Sequence, residues 1–596
     1  MRIKWFSLIR VCGLLLVLLY HFFKNTFPGG FIGVDVFFTF SGYLITVLLI
    51  DEYARNKRIN LLAFFRRRFY RIVPPLVLMI LCIMPFVYLV RSDFIAGIGR
   101  QIAAALGFAT NFYEIITGGN YETQFIPHLF VHTWSLAIEV HFYIIWGFLV
   151  WWLARQGYDK NKLRSLVFIL SAALFALSFG SMFIRAFFVD NVSRIYFSTL
   201  SHTYPFFLGA MVATLSGVAE TTARFKRNSR LWSVRRTLSV FAGSFSLLLI
   251  LSLLLDFNSL VTYLFGFFLA SFFTVLMIYA ARVLHDKTAD LKEPLIITFL
   301  ADISYGMYLF HWPFYIIFSQ LLPNVLAVLL TLFFSLVFSA LSYYIIEPFI
   351  AGKKIRLLGV DFNLTPYKKW LYGTVGFLSA LTLVTVIVAP RVGAFETELT
   401  VNSLKQAQMN LERTHTLAAG DASALSDVMV IGDSVALRSS DAFASLLPEA
   451  QLDASVSRDF DDAFTIFRNH LDSGTLSKVV VLAVGVNSLD QYKEDLDQFV
   501  EALPDGYRLV LVTPYNSKNI TQVSEVREYE LLLAKTYDYL TVADWYQAAV
   551  DNPDIWNGTD GVHYSDADEE GANLYVETIQ KAVQKAAKHP AKGESE

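Results

Sequence analysis

The sequence predicts a polytopic α-helical membrane domain of ten spans plus one linking span, followed by a three-layer α/β domain built on a parallel sheet. Three observations predict it. Over 596 residues the chain is 55% hydrophobic, with 53 Phe and a mean hydropathy of +0.48, too apolar for an ordinary soluble protein. The apolar residues gather into windows of about twenty, the length that crosses a hydrocarbon core. Beyond residue 427 these windows stop. Short β-branched runs then alternate with amphipathic ones, as expected of strands covered by helices on both faces.

The spans fall near residues 6–23, 33–50, 72–90, 135–153, 165–184, 204–218, 238–255, 259–281, 303–320 and 325–347, with the linking span at 371–390. The stretch 101–117 carries Asn111 and Glu114 and reads as re-entrant or interfacial. Loop charge supports that choice. Segments 51–71, 154–164, 219–236, 282–293 and 348–370 hold 25 Lys and Arg, and the alternate loops between the first ten spans about five. The positive-inside pattern therefore puts the N-terminus in the cytoplasm and everything beyond residue 391 outside. The division expected is a membrane domain over 1–350, a cytoplasmic loop and eleventh span over 351–390, an extracytoplasmic linker over 391–427, a catalytic domain over 428–586 and a disordered tail over 587–596. A net charge of −2 is segregated along the chain and indicates no nucleic-acid partner; the partner that composition does indicate is the bilayer. Cys12 and Cys82 both lie in apolar stretches, which implies neither a disulfide framework nor a metal site. The first apolar stretch lacks a cleavage pattern and is followed by further spans, so it is not read as a signal peptide.

In the second domain, Val428 to Arg438 reads as a buried strand turning sharply into a helix through Gly432-Asp433-Ser434. Such a turn delivers Ser434 to the end of a sheet beside backbone N–H groups that stabilise charge on an acyl oxygen. Gly-Asp-Ser is also ordinary turn chemistry, so the far end of the chain matters. There Asp560-Gly-Val-His563 lets one turn supply a general base and the carboxylate that orients it. A strand at 479–484 closes in Gly485-Val486-Asn487, whose amide can donate to an oxyanion. Three blocks in this order resemble the SGNH/GDSL hydrolase family. The resemblance implies Ser434 as nucleophile, Asp560 and His563 as its partners, and Asn487 in the oxyanion hole. It points to Ser457 where the family usually has a Gly.

The membrane half carries its own chemistry. Arg10 and His21 stand eleven residues apart, about 16 Å along one helical face. Ionisable side chains in a span face a cavity or a partner. Asp35 enters the second span and is expected close to His21, where it would fix the imidazole tautomer. Arg66, Arg67, Arg68 and Arg71 flank the third span; their guanidinium forks fit phosphates. The runs Trp134-Ser135 to Glu139 to Tyr143, and Ser304-Tyr305 to His311-Trp312-Pro313, follow. His141 and His311 read as packing residues, and Tyr196 and Tyr204 as members of an outer aromatic belt, with Tyr196 also a candidate transient acyl carrier.

In order and over nearly all of residues 1–350, these motifs resemble the membrane acyltransferase-3 family. The resemblance implies acetyl-CoA as cytoplasmic donor substrate and no permanently bound cofactor. It implies Arg10 and His21 as the donor-side residues; Asp35, Glu139 and Tyr196 join them as candidates for a membrane acyl-transfer site, and Arg67, Arg68 and Arg71 are the candidates for the CoA phosphates. The fusion to an outer SGNH-like domain is similar to the bacterial peptidoglycan O-acetyltransferases, whose product confers lysozyme resistance. The implied acceptor is the C6 hydroxyl of N-acetylmuramic acid in peptidoglycan glycan strands. Three alternatives stay open: another surface polysaccharide or teichoic acid as acceptor, an acetylesterase, and a transporter or sensor with a glycan-binding domain.

Overall fold

A computed structural model of the chain describes residues 3–118, 127–189, 191–217, 221–288, 291–357, 360–418, 426–487, 489, 491–517, 519–556, 559, 561–565 and 569–594. Asp560 and part of the expected linker, 419–425, lie outside the described residues. The chain divides into two compact units, Met1–Arg391 and Val392–Glu596.

In the first unit the helices are α1 (Phe6–Phe22), α2 (Gly33–Asn56), α3 (Leu61–Ile83), α4 (Trp134–Arg155), α5 (Lys160–Arg185), α6 (Tyr204–Ser216), α7 (Val234–Leu254), α8 (Phe267–Lys287), α9 (Leu295–Leu321), α10 (Asn324–Leu341) and α11 (Lys368–Val388). Among the described residues nine helical stretches are long and apolar enough to cross a membrane; α1 and α6 are apolar but shorter. This is a multi-pass membrane protein. The stretch after α3 that carries Asn111 and Glu114 forms two short helices, Ile98–Leu106 and Thr110–Ile116, neither of them the length of a crossing. Before α11 a small antiparallel pair, β1 (Ile355–Leu357) and β2 (Val360–Phe362), forms.

The third helix starts eleven residues earlier than its apolar window. Asn60 caps it, accepting from Ala63 N at 2.9 Å, so Arg66, Arg67, Arg68 and Arg71 lie on a helix and not in a loop. Charged turns at a span's end are invisible to hydropathy. The helical positions decide which arginines share a face.

Helices α2 and α6 cross in backbone contact. A Cβ added to Gly42 would stand 2.0 Å from Phe206 O, and one added to Gly209 would stand 2.0 Å from Thr39 O. Small residues at such a crossing let helices associate where lipid offers no hydrophobic drive. Gly42→Val is therefore expected to disrupt the membrane unit: in detergent it should lose the monodisperse size-exclusion peak of the wild type, whereas Gly180→Ala, whose Cβ meets nothing within 4 Å, should keep it.

The second unit holds a five-stranded parallel sheet: β3 (Val428–Gly432), β4 (Ala450–Ala454), β5 (Val479–Ala483), β6 (Arg508–Val512) and β7 (Leu540–Ala543), in the order β4-β3-β5-β6-β7. Four of these strands match apolar runs in the sequence. Edge strand β4 does not, because Ala-Gln-Leu-Asp-Ala buries few side chains. The register pairs Gly432 with Ala454 and with Ala483, so three strands end level beside the turn that carries Ser434. The chain runs from β3 to β4 on one side of it and then crosses from β4 to β5 on the other, which makes this end the switch point where ligands bind in open α/β sheets. Met429, Ile431, Val480, Leu482, Leu509 and Leu511 form one face of the core with Phe460, Phe467 and Phe499.

Two expectations for this unit change. The linker expected over 391–427 contains a 25-residue helix, α12 (Ala394–Ala418). Its buried positions Phe395, Leu399, Asn402 and Gln406 are spaced four, three and four residues, one helical face. The Gln406 amide donates to Ala454 O and accepts from Ala454 N, both at 3.0 Å, covering the open edge of β4. The sequence shows a helical pattern over part of it, such as Asn402 to Arg413; two of the four buried positions are polar, so apolar periodicity does not reveal its full length. The charged tail, expected to be disordered, is docked over its described residues: Gly506 N donates to Lys592 O at 2.7 Å and Lys592 N to Tyr507 O at 2.9 Å. Those contacts use backbone groups, to which composition is blind.

Glu530 is buried, with Oε2 lacking a hydrogen-bond partner among the described residues. Burial holds its carboxyl well above the ordinary value. A folded-state pKa raised in this way means that stability is largest at low pH and falls as pH rises above the unfolded value. Glu530→Gln is expected to raise the unfolding midpoint of this unit at pH 7.5 by about 3–6 °C, on the order of 1–2 kcal/mol, with most of the gain gone at pH 4. Thermal unfolding of the full-length protein at the two pH values checks it.

Candidate active sites

Each unit carries its own cluster of reactive side chains. In the second unit the cluster begins where β3 ends. A Cβ on Gly432 would stand 2.3 Å from the Ala436 Cβ, so the turn needs glycine there. Asp433 leaves the strand in extended conformation and caps the following short helix, α13 (Ser434–Arg438), accepting from Val435 N at 2.9 Å. Ser434 is thereby the first helical residue. Its Oγ is hydrogen-bonded to His563 Nε2 at 2.8 Å, and both residues are buried. With Nε2 accepting, the neutral imidazole carries its hydrogen on Nδ1. Hydroxyl and base stand in the geometry that activates a nucleophile. Burial pushes the Asp433 carboxyl up to about 6, against the Val435 N–H, His563 and Arg458, which favour its charged form.

Ser457 adopts φ +59°, the left-handed region that glycine enters without strain. A serine thus occupies a backbone conformation that favours glycine. Arg458, which no sequence motif singles out, staples this turn to the nucleophile strand: Nη1 donates to Gly432 O at 3.2 Å and to Asp453 O at 2.5 Å, and Nη2 donates to Asp453 Oδ1 at 2.7 Å. The Asn487 amide donates to Arg458 O at 3.1 Å, which brings Asn487 and Ser457 to one loop cluster. The other unforeseen neighbour is Phe395 of α12, whose ring meets the His563 ring edge-on at 4.9 Å. Arg438 lies over the rings of Phe395 and Tyr564, at 5.1 and 5.3 Å, and donates to Tyr564 O at 2.6 Å.

In the membrane unit, Arg10, Arg68, Arg71 and Glu139 line one cavity of about 100 Å³, together with Ser41, Ser135, Tyr143, Tyr305 and Tyr308. Glu139 Oε1 accepts from Ser41 Oγ at 2.5 Å and from the Tyr143 hydroxyl. Arg68 also lines a second, larger cavity of about 830 Å³ with Arg55, Arg58, Arg67, Asp51 and Glu52. Its Nε is buried without a hydrogen-bond partner among the described residues. A guanidinium with an unsatisfied donor between two cavities is suited to an anionic group passing from one to the other.

His21 and Asp35 do not meet. His21 Nδ1 stands 2.8 Å from His311 Nε2, with the Trp312 ring at 4.6 Å, whereas Asp35 Oδ1 pairs with His202 Nε2 at 3.3 Å. The reason lies one turn away. Gly33 abuts α1, where an added Cβ would be 2.7 Å from Gly13 O, and Asp35 follows by two residues, about 200° around the helix. Asp35 therefore faces away from His21. Tyr196 and Tyr204, expected in an outer aromatic belt, are fully buried; the Tyr196 ring lies 4.4 Å from Trp134 and 5.0 Å from His202. Neither lines the arginine cavity. Among the described residues no group of three or more His, Cys, Asp or Glu is placed to hold a metal ion.

Residues 3–347 match the acyltransferase domain family. The chain is 27% identical to O-acetyltransferase OatA of Staphylococcus aureus, over 97% of this chain and 95% of that one. A solved structure described as the C-terminal catalytic domain of Streptococcus pneumoniae peptidoglycan O-acetyltransferase A (OatA), with a methylsulfonyl adduct, is 41% identical, covers 28% of this chain and 97% of that one, and has a TM-score of 0.27.

Proposed function

Because the chain belongs to the acyltransferase family, whose domain fills its membrane unit, we propose that it is a peptidoglycan O-acetyltransferase, carrying acetyl groups from cytoplasmic acetyl-CoA to the C6 hydroxyl of N-acetylmuramic acid. The N-terminus is then cytoplasmic and the second unit extracellular. The observation that carries this reading is the 2.8 Å hydrogen bond between Ser434 and His563 in a chain that also holds an acyltransferase domain. Hydrolysis outside the cell needs no such second half; transfer from a cytoplasmic thioester does.

In this reading the CoA phosphates bind the arginines of the larger cavity, Arg67 and Arg68 among them, and the thioester reaches past Arg68 toward Arg10, Arg71 and Glu139. His21 acts as base for acyl transfer within the membrane unit. The acetyl group then reaches Ser434. His563 Nε2 takes the Ser434 proton as Oγ attacks the acetyl carbon, and Asp560 orients the imidazole through Nδ1. The backbone N–H groups of Ser434 and Ser457 and the second N–H of the Asn487 amide stabilise the oxyanion. In the return half His563 removes the proton of the sugar hydroxyl, the new ester forms, and Ser434 recovers its own. Complementing a null strain with the wild-type gene tests this: the muropeptides should regain base-labile acetate on muramic acid. Restoration of acetate on teichoic acid or another polysaccharide, with none on muramic acid, would reject the acceptor.

A further inference from the structure

The histidine pair in the membrane unit has a direction. His311 Nδ1 lies 2.6 Å from Tyr308 O and 3.1 Å from Met307 O. Carbonyl oxygens only accept, so Nδ1 carries the hydrogen, and the lone pair of the neutral ring is on Nε2. That Nε2 faces His21 Nδ1 at 2.8 Å, which makes His21 Nδ1 the donor. The lone pair of His21 is then on Nε2. The two rings are also held in place: they stack at 5.0 Å with an interplanar angle of 30°, and His311 is fully buried. Imidazole in water populates both tautomers; here backbone carbonyls of α9 choose for His311, and His311 chooses for His21.

We propose that His311 is the positioning residue that sets the tautomer of His21 for proton abstraction by Nε2. The inference rests on the reading of His21 as the base of the membrane unit. At the chemical step an acceptor hydroxyl loses its proton to His21 Nε2 while its oxygen bonds to the acetyl carbon; the carbon–sulfur bond breaks, and the proton passes from His21 to the CoA thiolate. With the other tautomer Nε2 would already hold a hydrogen and could not accept. His311 thus does for His21 what a carboxylate does in a hydrolase triad, using an uncharged acceptor in a place where a buried charge would be costly.

The test uses full-length protein in proteoliposomes, with release of CoA thiol from acetyl-CoA as the readout. His311→Phe keeps a flat ring and removes the acceptor; it is expected to lower kcat about 100-fold with KM for acetyl-CoA within twofold. His311→Gln, whose Oε1 can stand near the lost Nε2, is expected to recover kcat to within about tenfold of wild type. A His311→Phe variant with wild-type kcat, or a His311→Gln variant no better than it, overturns the proposal. His21→Ala separates the two readings: if it retains activity, the role of His21 itself fails, whatever His311 does. A measurement on wild-type protein guards against misfolded variants. In a 15N-histidine-labelled sample, the His21 Nε2 signal should appear at the shift of an unprotonated nitrogen, and a protonated shift there refutes the assignment.

Discussion

Ser434→Ala is expected to abolish glycan O-acetylation in a null strain while the protein is made and folded at wild-type levels. The Oγ atom is the only group the substitution removes. Asp433 still caps the helix through Val435 N, and alanine is at home in the first turn, so neither β3 nor α13 should move. What is lost is the nucleophile that faces His563 at 2.8 Å. For a nucleophile and base that act as a unit, removing either costs about 10³–10⁶ in kcat, and removing both costs little more. His563→Ala should therefore match Ser434→Ala, and the double variant should match each single one. Base-released acetate from purified muropeptides measures the loss, and mass spectrometry of the trapped wild-type enzyme should find 42 Da, about one acetyl group, on the peptide containing Ser434. Acetylation retained by Ser434→Ala would dispose of the acetyl-enzyme.

The second large effect separates the two units. His21→Ala is expected to lower transfer from acetyl-CoA by about 10²–10⁴, the range that a general base contributes. The same full-length variant should leave Ser434 as reactive as in wild type toward a small sulfonyl fluoride, because Ser434 and His563 owe their geometry to the second unit alone. Ser434→Ala should show the converse, no labelling at all. The pattern depends on His21 and Ser434 serving successive steps. A His21→Ala variant that acetylates glycan normally would remove the membrane site from the pathway. One that also loses sulfonyl labelling would show that the damage is to folding and not to chemistry.

Much of the site is legible in the order of residues. The Gly432-Asp433-Ser434 turn, the Asn487 loop and the approach to His563 are local: a strand, its last residue and the turn after it are contiguous, and steric needs such as the Gly432–Ala436 contact act within five residues. The apolar windows are equally plain, since a crossing helix declares itself by length and composition. Less legible is α12. Its buried face, Phe395, Leu399, Asn402 and Gln406, has helical spacing, but half of it binds through amides and so leaves no apolar period.

The sequence alone determined the two-part architecture and the Ser434, Asn487 and His563 blocks, because each follows from the order of residues along one element or turn. The tertiary structure decided the partnerships. It gave His21 to His311 and Asp35 to His202, brought Phe395 against His563, and set Arg458 across Gly432 and Asp453. Spacing within a helix tells which side chains share a face, but the neighbour that face meets depends on how helices pack. Here that was settled by backbone contacts at glycines such as Gly33 and Gly42, where a shift of one residue would turn every side chain on the helix by about 100°.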